Sequence, residues 1–249
     1  MRRMLLAQKA YSEGSLCLVL YSASLVDSAK VSEDDRLLLD LITPIVKSYP
    51  SEWCLEANKW AIQILGGYGY TRDFPLEQIY RDNRLNMIHE GTAGIHALTF
   101  AGRNLSSAGG APFASLLSRI RSGALQAPDR DCAARLLRGA AVLEACAKAL
   151  VNDEKRRETM GGPPRNAAEM LSIAGTVIVA WLHCEMAGEA TRMLKDRSGE
   201  ARGMSDAFLR GKIASAEFFL KFELEKVEAW GKIVEGLDDT VTRCKAEWL

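Results

Sequence analysis

Apolar residues recur at helical spacing along nearly the whole chain, and no segment combines strict alternation with β-branched residues and hairpin turns. An all-α fold follows. Residues 4–29 are apolar on almost every side (LCLVLYSASLV), the pattern of a helix covered by neighbours on several faces. Ser32-Glu33-Asp34-Asp35 resembles a capping box and predicts the start of a second helix, which Pro44 should kink or interrupt. Trp53, Ala57, Trp60, Ala61, Ile64 and Leu65 share one stripe of a third helix, and Gly66 and Gly67 stop it. After the turn-rich GGYGYTRDFP, Pro75 can open a short helix with Leu76, Ile79 and Tyr80 on one face, and a further helix should run from about Thr92 to Leu105.

Residues 106–112 (SSAGGAP) are small and flexible and have nothing to pack. They mark a linker between a helical domain at 1–105 and a second helical bundle at 113–249. In that bundle Phe113, Leu116, Leu117 and Ile120 define one amphipathic helix, and Ala133, Leu136, Leu137, Ala140 and Leu143 the next. MGGPP at 160–164 breaks the pattern. Two long helical stretches, roughly 166–195 and 206–235, close the chain on either side of the polar KDRSGEARG segment. No chemical motif stands out in this half.

Composition narrows the function. At 249 residues and 48% hydrophobic the chain can bury a substantial core. Lys plus Arg equals Asp plus Glu at 32 each, so there is no overall field to attract nucleic acid or anionic lipid, although a local basic patch stays open. Cys17, Cys54, Cys132, Cys146, Cys184 and Cys244 form no CxxC pair and read as reduced, mostly buried thiols of a cytoplasmic protein. Gln8 and Lys9 interrupt the opening apolar stretch before a secretion signal could form. The most apolar run, Ile173 to Leu182, is about half the length that crosses a bilayer, so a soluble protein is expected.

The chemically suggestive residues lie between Gln63 and Arg103. A glycine-rich turn follows a helix, Arg81-Asp82 forms a charged pair, and Glu90-Gly91-Thr92 stands where a helix begins. Free N–H groups at a helix start suit an anion or a polarised carbonyl, and a carboxylate beside them could act as a general base. Each feature also has a plain structural reading. Glycine turns at helix ends are usually C-caps, a Glu at a helix start is more often a dipole partner, and Arg81-Asp82 is most simply a surface ion pair. His89, His96 and His183 have no carboxylate or cysteine constellation suited to a metal.

Order and spacing say more than any single residue. Gln63, Gly66, Gly67, Gly69, Tyr70, Pro75, Arg81, Asp82, Ile88, Glu90, Gly91, Thr92 and Ile95 resemble, in sequence, the C-terminal domain of acyl-CoA dehydrogenases. MRRMLLAQKAYSEG and GMSDAFLRGKIASAEFF look like the branch that includes methylmercaptopropionyl-CoA dehydrogenases, whose members carry an additional helical domain after the usual one.

The resemblance implies an FAD-dependent oxidoreductase of fatty acid metabolism that dehydrogenates an acyl-CoA thioester at its α,β-bond. It casts Glu90 as the catalytic base, with its backbone N–H, beside Gly91, on the thioester carbonyl. Gln63, Gly66 and Gly67 match residues near the FAD of a neighbouring subunit, and Thr92 one that contacts the flavin from the other side. The implied partners are an acyl-CoA, an acceptor such as electron-transfer flavoprotein, and a second copy in a homodimer, with no nucleic acid and no membrane. Gly94 and His96 depart from the family, which commonly has glutamine at both places. Absent too are the N-terminal helical and middle β domains, so the chain reads as a fragment, a misassigned start or a partner-dependent subunit. The alternative is an inert helical interaction module. A DNA-binding relative would need a strongly basic face, which the balanced charge does not supply.

Overall fold

A computed structural model describes residues 1–160, 164–196 and 203–248, and no strand occurs among them. Most of MGGPP and the centre of KDRSGEARG lie outside the described residues. The first two helices, α1 (Arg2–Ser28) and α2 (Glu33–Leu65), lie along one another as a hairpin. At the start of α2 the Ser32 Oγ accepts the Asp35 N–H at 3.2 Å, as the capping box predicts. The Asp35 carboxylate also receives Arg119 at 2.6 Å, which clamps this end of α2 to the second half of the chain.

The break expected at Pro44 does not occur. Helix α2 runs unbroken through Pro44 and Pro50 for 33 residues, so the expected second and third helices are one. A proline leaves the carbonyl four residues back without its usual donor. Here that carbonyl belongs to Asp40, and the Asn104 side-chain amide donates to it at 2.8 Å. Leu38, Ile42 and Ile45 on the same stretch are fully buried, and such burial stabilises by roughly 1.5–3 kcal/mol per side chain. Packing and a substitute donor outweigh the local cost.

Short helices follow: α3 (Leu76–Leu85) after Pro75, then α4 (Ala93–Thr99). The helix expected from Thr92 to Leu105 is not uniform, because a π-turn occupies Phe100–Asn104. Ala108, Gly109 and Gly110 then take positive φ, and α5 (Ala111–Gly123) begins with Pro112 in its first turn. Next come α6 (Arg130–Met160), α7 (Ala167–Lys195), α8 (Asp206–Phe218), a second π-turn at Phe219–Glu223, α9 (Lys226–Glu235) and α10 (Thr240–Arg243). The single stretch read at 206–235 is therefore two helices joined by a π-turn. Leu137, expected on the buried face of α6, is exposed.

Helix α7 is the centre of the molecule. It packs on α1, α2, α4, α5, α6, α8 and α9, and buries Ile173, Val177, Ile178 and Val179 completely. By length and composition it could span a bilayer, which the shorter apolar run read from the sequence did not suggest, but 83% of its most apolar window is buried inside the fold. Close approach is bought with glycine: a Cβ at Gly175 would lie 2.4 Å from the Tyr49 ring, and one at Gly14 would lie 2.6 Å from Val179. The buried core runs continuously from α1 to α9.

Helix α1 is covered on one side only. Ala10, Tyr11, Gly14, Leu18 and Leu25 are buried, whereas Leu5, Leu16, Val19, Leu20 and Val26 are exposed. The cysteines divide: Cys132, Cys146 and Cys184 are buried, Cys17 and Cys54 half-buried, and Cys244 exposed.

Candidate active site

Two turns carry the residues singled out in the sequence. The first closes α2. Gly66 takes φ +59°, and its N–H donates to the Gln63 carbonyl, so a residue with a Cβ would be strained there. The chain continues as a 3₁₀ turn through Tyr70. Only Gly69 is excluded from bearing a side chain by its neighbours, since a Cβ would meet the Ile62 carbonyl at 2.6 Å. Gly66 and Gly67 face open space, with nothing within 4 Å of an added Cβ, and Gln63 is exposed beside them.

The second turn joins α3 to α4. Helix α3 buries none of its residues, and Arg81 faces Glu77 at 3.9 Å in place of the expected pairing with Asp82. Lys47 of α2 donates to the Asn86 carbonyl at 2.6 Å and ties this end of α3 down. The His89 N–H and ring Nδ1 both meet the Leu85 carbonyl, at 3.2 and 2.9 Å. Glu90 and Gly91 then take φ +58° and +91°. For Glu90 this left-handed conformation costs about 1–2 kcal/mol. Thr92 restores extended backbone and caps α4, its Oγ1 accepting the Ile95 N–H at 3.4 Å. The Glu90 carboxylate is exposed and has no ion pair among the described residues.

The structure thus brings Glu90, Gly91 and Thr92 together in one turn and Gln63, Gly66 and Gly67 together in another. None of the six lines either of the two hollows that flank the second turn. A hollow of about 380 Å³ on one side of the α3–α4 turn is walled by Lys47, Cys54, Asn83, Asn86 and His89. Burial pushes the Cys54 thiol up, so it stands neutral in that wall. Ala93 and Gly94, just past the turn, line a smaller hollow with Tyr49, Met87 and Leu171. Lys47 and Asn86 were not singled out in the sequence, and no local signal marks them, because their contact spans 39 residues.

These features define an all-helical unit that presents the six residues singled out in the sequence at the end of α2 and the start of α4. Known proteins extend that description. The family model "Acyl-CoA dehydrogenase, C-terminal domain" matches residues 1–105, and "Acetyl-CoA dehydrogenase C-terminal like" matches 116–245. The chain belongs to the acyl-CoA dehydrogenase family and corresponds to its C-terminal part. It is 30% identical to the broad-specificity linear acyl-CoA dehydrogenase FadE5 of Mycobacterium tuberculosis, over 96% of this chain and 41% of that protein. Identity to the 3-methylmercaptopropionyl-CoA dehydrogenase of Ruegeria pomeroyi is 27%, over 92% of this chain and 39% of the relative, in keeping with the branch that the sequence resembles. An acyl-CoA dehydrogenase from Bacillus anthracis, solved in complex with FAD, shares the fold at a TM-score of 0.60 and 19% identity, over 93% of this chain and 41% of that one. The chain spans about two-fifths of the length of each of these three proteins.

Proposed function

We propose that this chain supplies the C-terminal part of an FAD-dependent acyl-CoA dehydrogenase, with Glu90 as the base that takes the α-proton of an acyl-CoA thioester. The observation that carries the reading is the Glu90 turn. Its carboxylate is unpaired, and its N–H makes no backbone hydrogen bond among the described residues. One residue therefore offers both a proton acceptor and a donor for the thioester carbonyl. A preorganised donor of this kind lowers a barrier by about 3 kcal/mol. The α-proton passes to the Glu90 carboxylate, which becomes a neutral acid.

The residues fit a flavin nucleotide. The open backbone at Gly66 and Gly67 admits a phosphate or ribose at close range, with the exposed Gln63 amide beside it. Thr92 Oγ1 accepts the Ile95 N–H on one of its two lone pairs and keeps its own O–H to donate. When bound, FAD supplies the hydride acceptor for the β-hydrogen, and an acceptor such as electron-transfer flavoprotein takes the electrons onward. All six site residues lie within 1–105.

The 249-residue chain alone is expected to purify colourless, because two short turns give a cofactor too few contacts to offset the freedom lost on binding. Assembled with the remaining part of the enzyme, it should hold flavin that bleaches on adding acyl-CoA. An assembled protein with one flavin per chain that no acyl-CoA bleaches would sink the proposal.

The same reading makes the protein a homodimer. Leu5, Leu16, Val19, Leu20 and Val26 leave one face of α1 apolar and uncovered, and Tyr68 and Tyr70 stand 70% and 82% exposed on the turn that ends α2. Light scattering of the assembled protein at micromolar concentration should give two copies, and a stable monomer would argue against it.

A further inference from the structure

We propose that His96 is a positioning residue for Glu90, holding the turn that aims its carboxylate; this rests on the reading of Glu90 as the base. The backbone on either side of Glu90-Gly91 is anchored independently. His89 is bonded to Leu85 through both its N–H and its ring, and the Thr92 carbonyl accepts the His96 N–H at 3.1 Å. Between these anchors sit two consecutive residues of positive φ, a conformation that a glutamate adopts only where something enforces it.

His96 provides that contact. Its ring reaches back over the first turn of α4 and places Nε2 3.2 Å from the Glu90 carbonyl oxygen. A carbonyl can only accept, so Nε2 carries the proton. The ring also lies so close to Gly91 that a Cβ there would fall 2.7 Å from Nε2. Gly91 is thus required both by its φ and by the imidazole above it. A bond to its carbonyl opposes rotation of the Glu90–Gly91 peptide and so restrains the direction of the Glu90 Cα–Cβ bond. The core does not depend on this ring: His96 is only half-buried, and the buried residues Ala97 and Phe100 anchor α4 and the turn after it.

Proton transfer from carbon is sensitive to about 1 Å of misplacement, at a cost on the order of 10²-fold. In the assembled, flavin-loaded protein, His96→Ala should therefore lower the rate of flavin reduction by about 10²-fold, with flavin content and acyl-CoA affinity little changed. His96→Gln should recover at least about tenfold of that loss, because its amide nitrogen stands the same number of bonds from Cα as Nε2 and also donates. His96→Asn, one bond shorter, should not.

A second measurement needs neither flavin nor substrate. The chain has three histidines, so nitrogen NMR of histidine-labelled protein resolves each ring. Near neutral pH His96 should show the Nε2–H tautomer, and His89, whose Nδ1 faces the Leu85 carbonyl, the Nδ1–H tautomer. A contact between the His96 ring and the Gly91 α-protons should accompany it. The inference fails if His96 shows the Nδ1–H tautomer, if His96→Ala reduces flavin at the unmodified rate while Glu90→Gln does not, or if His96→Ala simply loses flavin. An active Glu90→Gln would instead overturn the reading of Glu90 itself.

Discussion

Replacing Glu90 by Gln in the assembled, flavin-loaded protein is expected to slow the reductive half-reaction by at least about 10³-fold, the scale of a lost, positioned base. Gln keeps the side-chain shape and the N–H that would polarise the thioester, so flavin and acyl-CoA binding should survive. In the structure the Glu90 carboxylate stands in solvent. Closing the remainder of the enzyme and an acyl chain over it would strip that solvent, and a desolvated carboxylate is a better base for a carbon acid. Glu77 is the control: it lies near Arg81 on the unburied α3, and Glu77→Gln should leave flavin reduction unchanged. Glu13, equally unremarkable in the sequence, is not a clean control. Burial would raise its carboxyl, but bonds from Lys9 and Lys212 outweigh that and hold it low, while Ser215 donates to it as well. Rapid-mixing absorbance at the flavin band gives the answer, and a Glu90→Gln protein that bleaches at the unmodified rate would place the base elsewhere.

Acid should begin to loosen the fold as the pH falls below about 6.5. His183 on α7 is completely buried, and burial pulls its imidazole down from the ordinary 6.5 to about 4, with Lys212 lowering it further and the Ala10 carbonyl and Glu13 opposing. Its Nε2 donates to the Ala10 carbonyl at 3.1 Å, while Nδ1 has no partner among the described residues. The unfolded chain therefore takes up a proton between pH 6.5 and 4 that the folded chain refuses. Stability from this group is complete above pH 6.5 and falls as pH drops towards 4, by about 3 kcal/mol in all. His183→Gln keeps the donor to Ala10 without the titration, so its urea midpoint should hold steadier from pH 6.5 to 4.5. Parallel losses in the two proteins would show that other groups control the acid limb.

Local signals were legible wherever one short segment decides the outcome. Ser32 caps α2, Gly66 ends it, Pro75 precedes α3 and Thr92 starts α4, each through contacts within four residues. What depends on distant partners was not. Pro44 reads as a break because the Asn104 amide that serves the stranded carbonyl comes from 64 residues away. The π-turns at Phe100–Asn104 and Phe219–Glu223 each hold one extra residue that periodicity cannot see. At the site, spacing singled out Glu90, Gly91 and Thr92 as a string. The positive φ of Glu90 and the imidazole over Gly91 are facts of three dimensions, and a histidine six residues past a glutamate carries no signal that it will turn back.

Helix α7 also sets a condition on how the protein is made. A 29-residue segment apolar enough for a bilayer must, as it leaves the ribosome, find protein before it finds lipid or another unfinished chain. Its order in the chain favours that outcome. Helices α1, α2, α4, α5 and α6 all emerge earlier, and each supplies a surface that α7 packs against, leaving only α8 and α9 to close the last side. The most lipid-like element is synthesised late, after most of the helices it packs against.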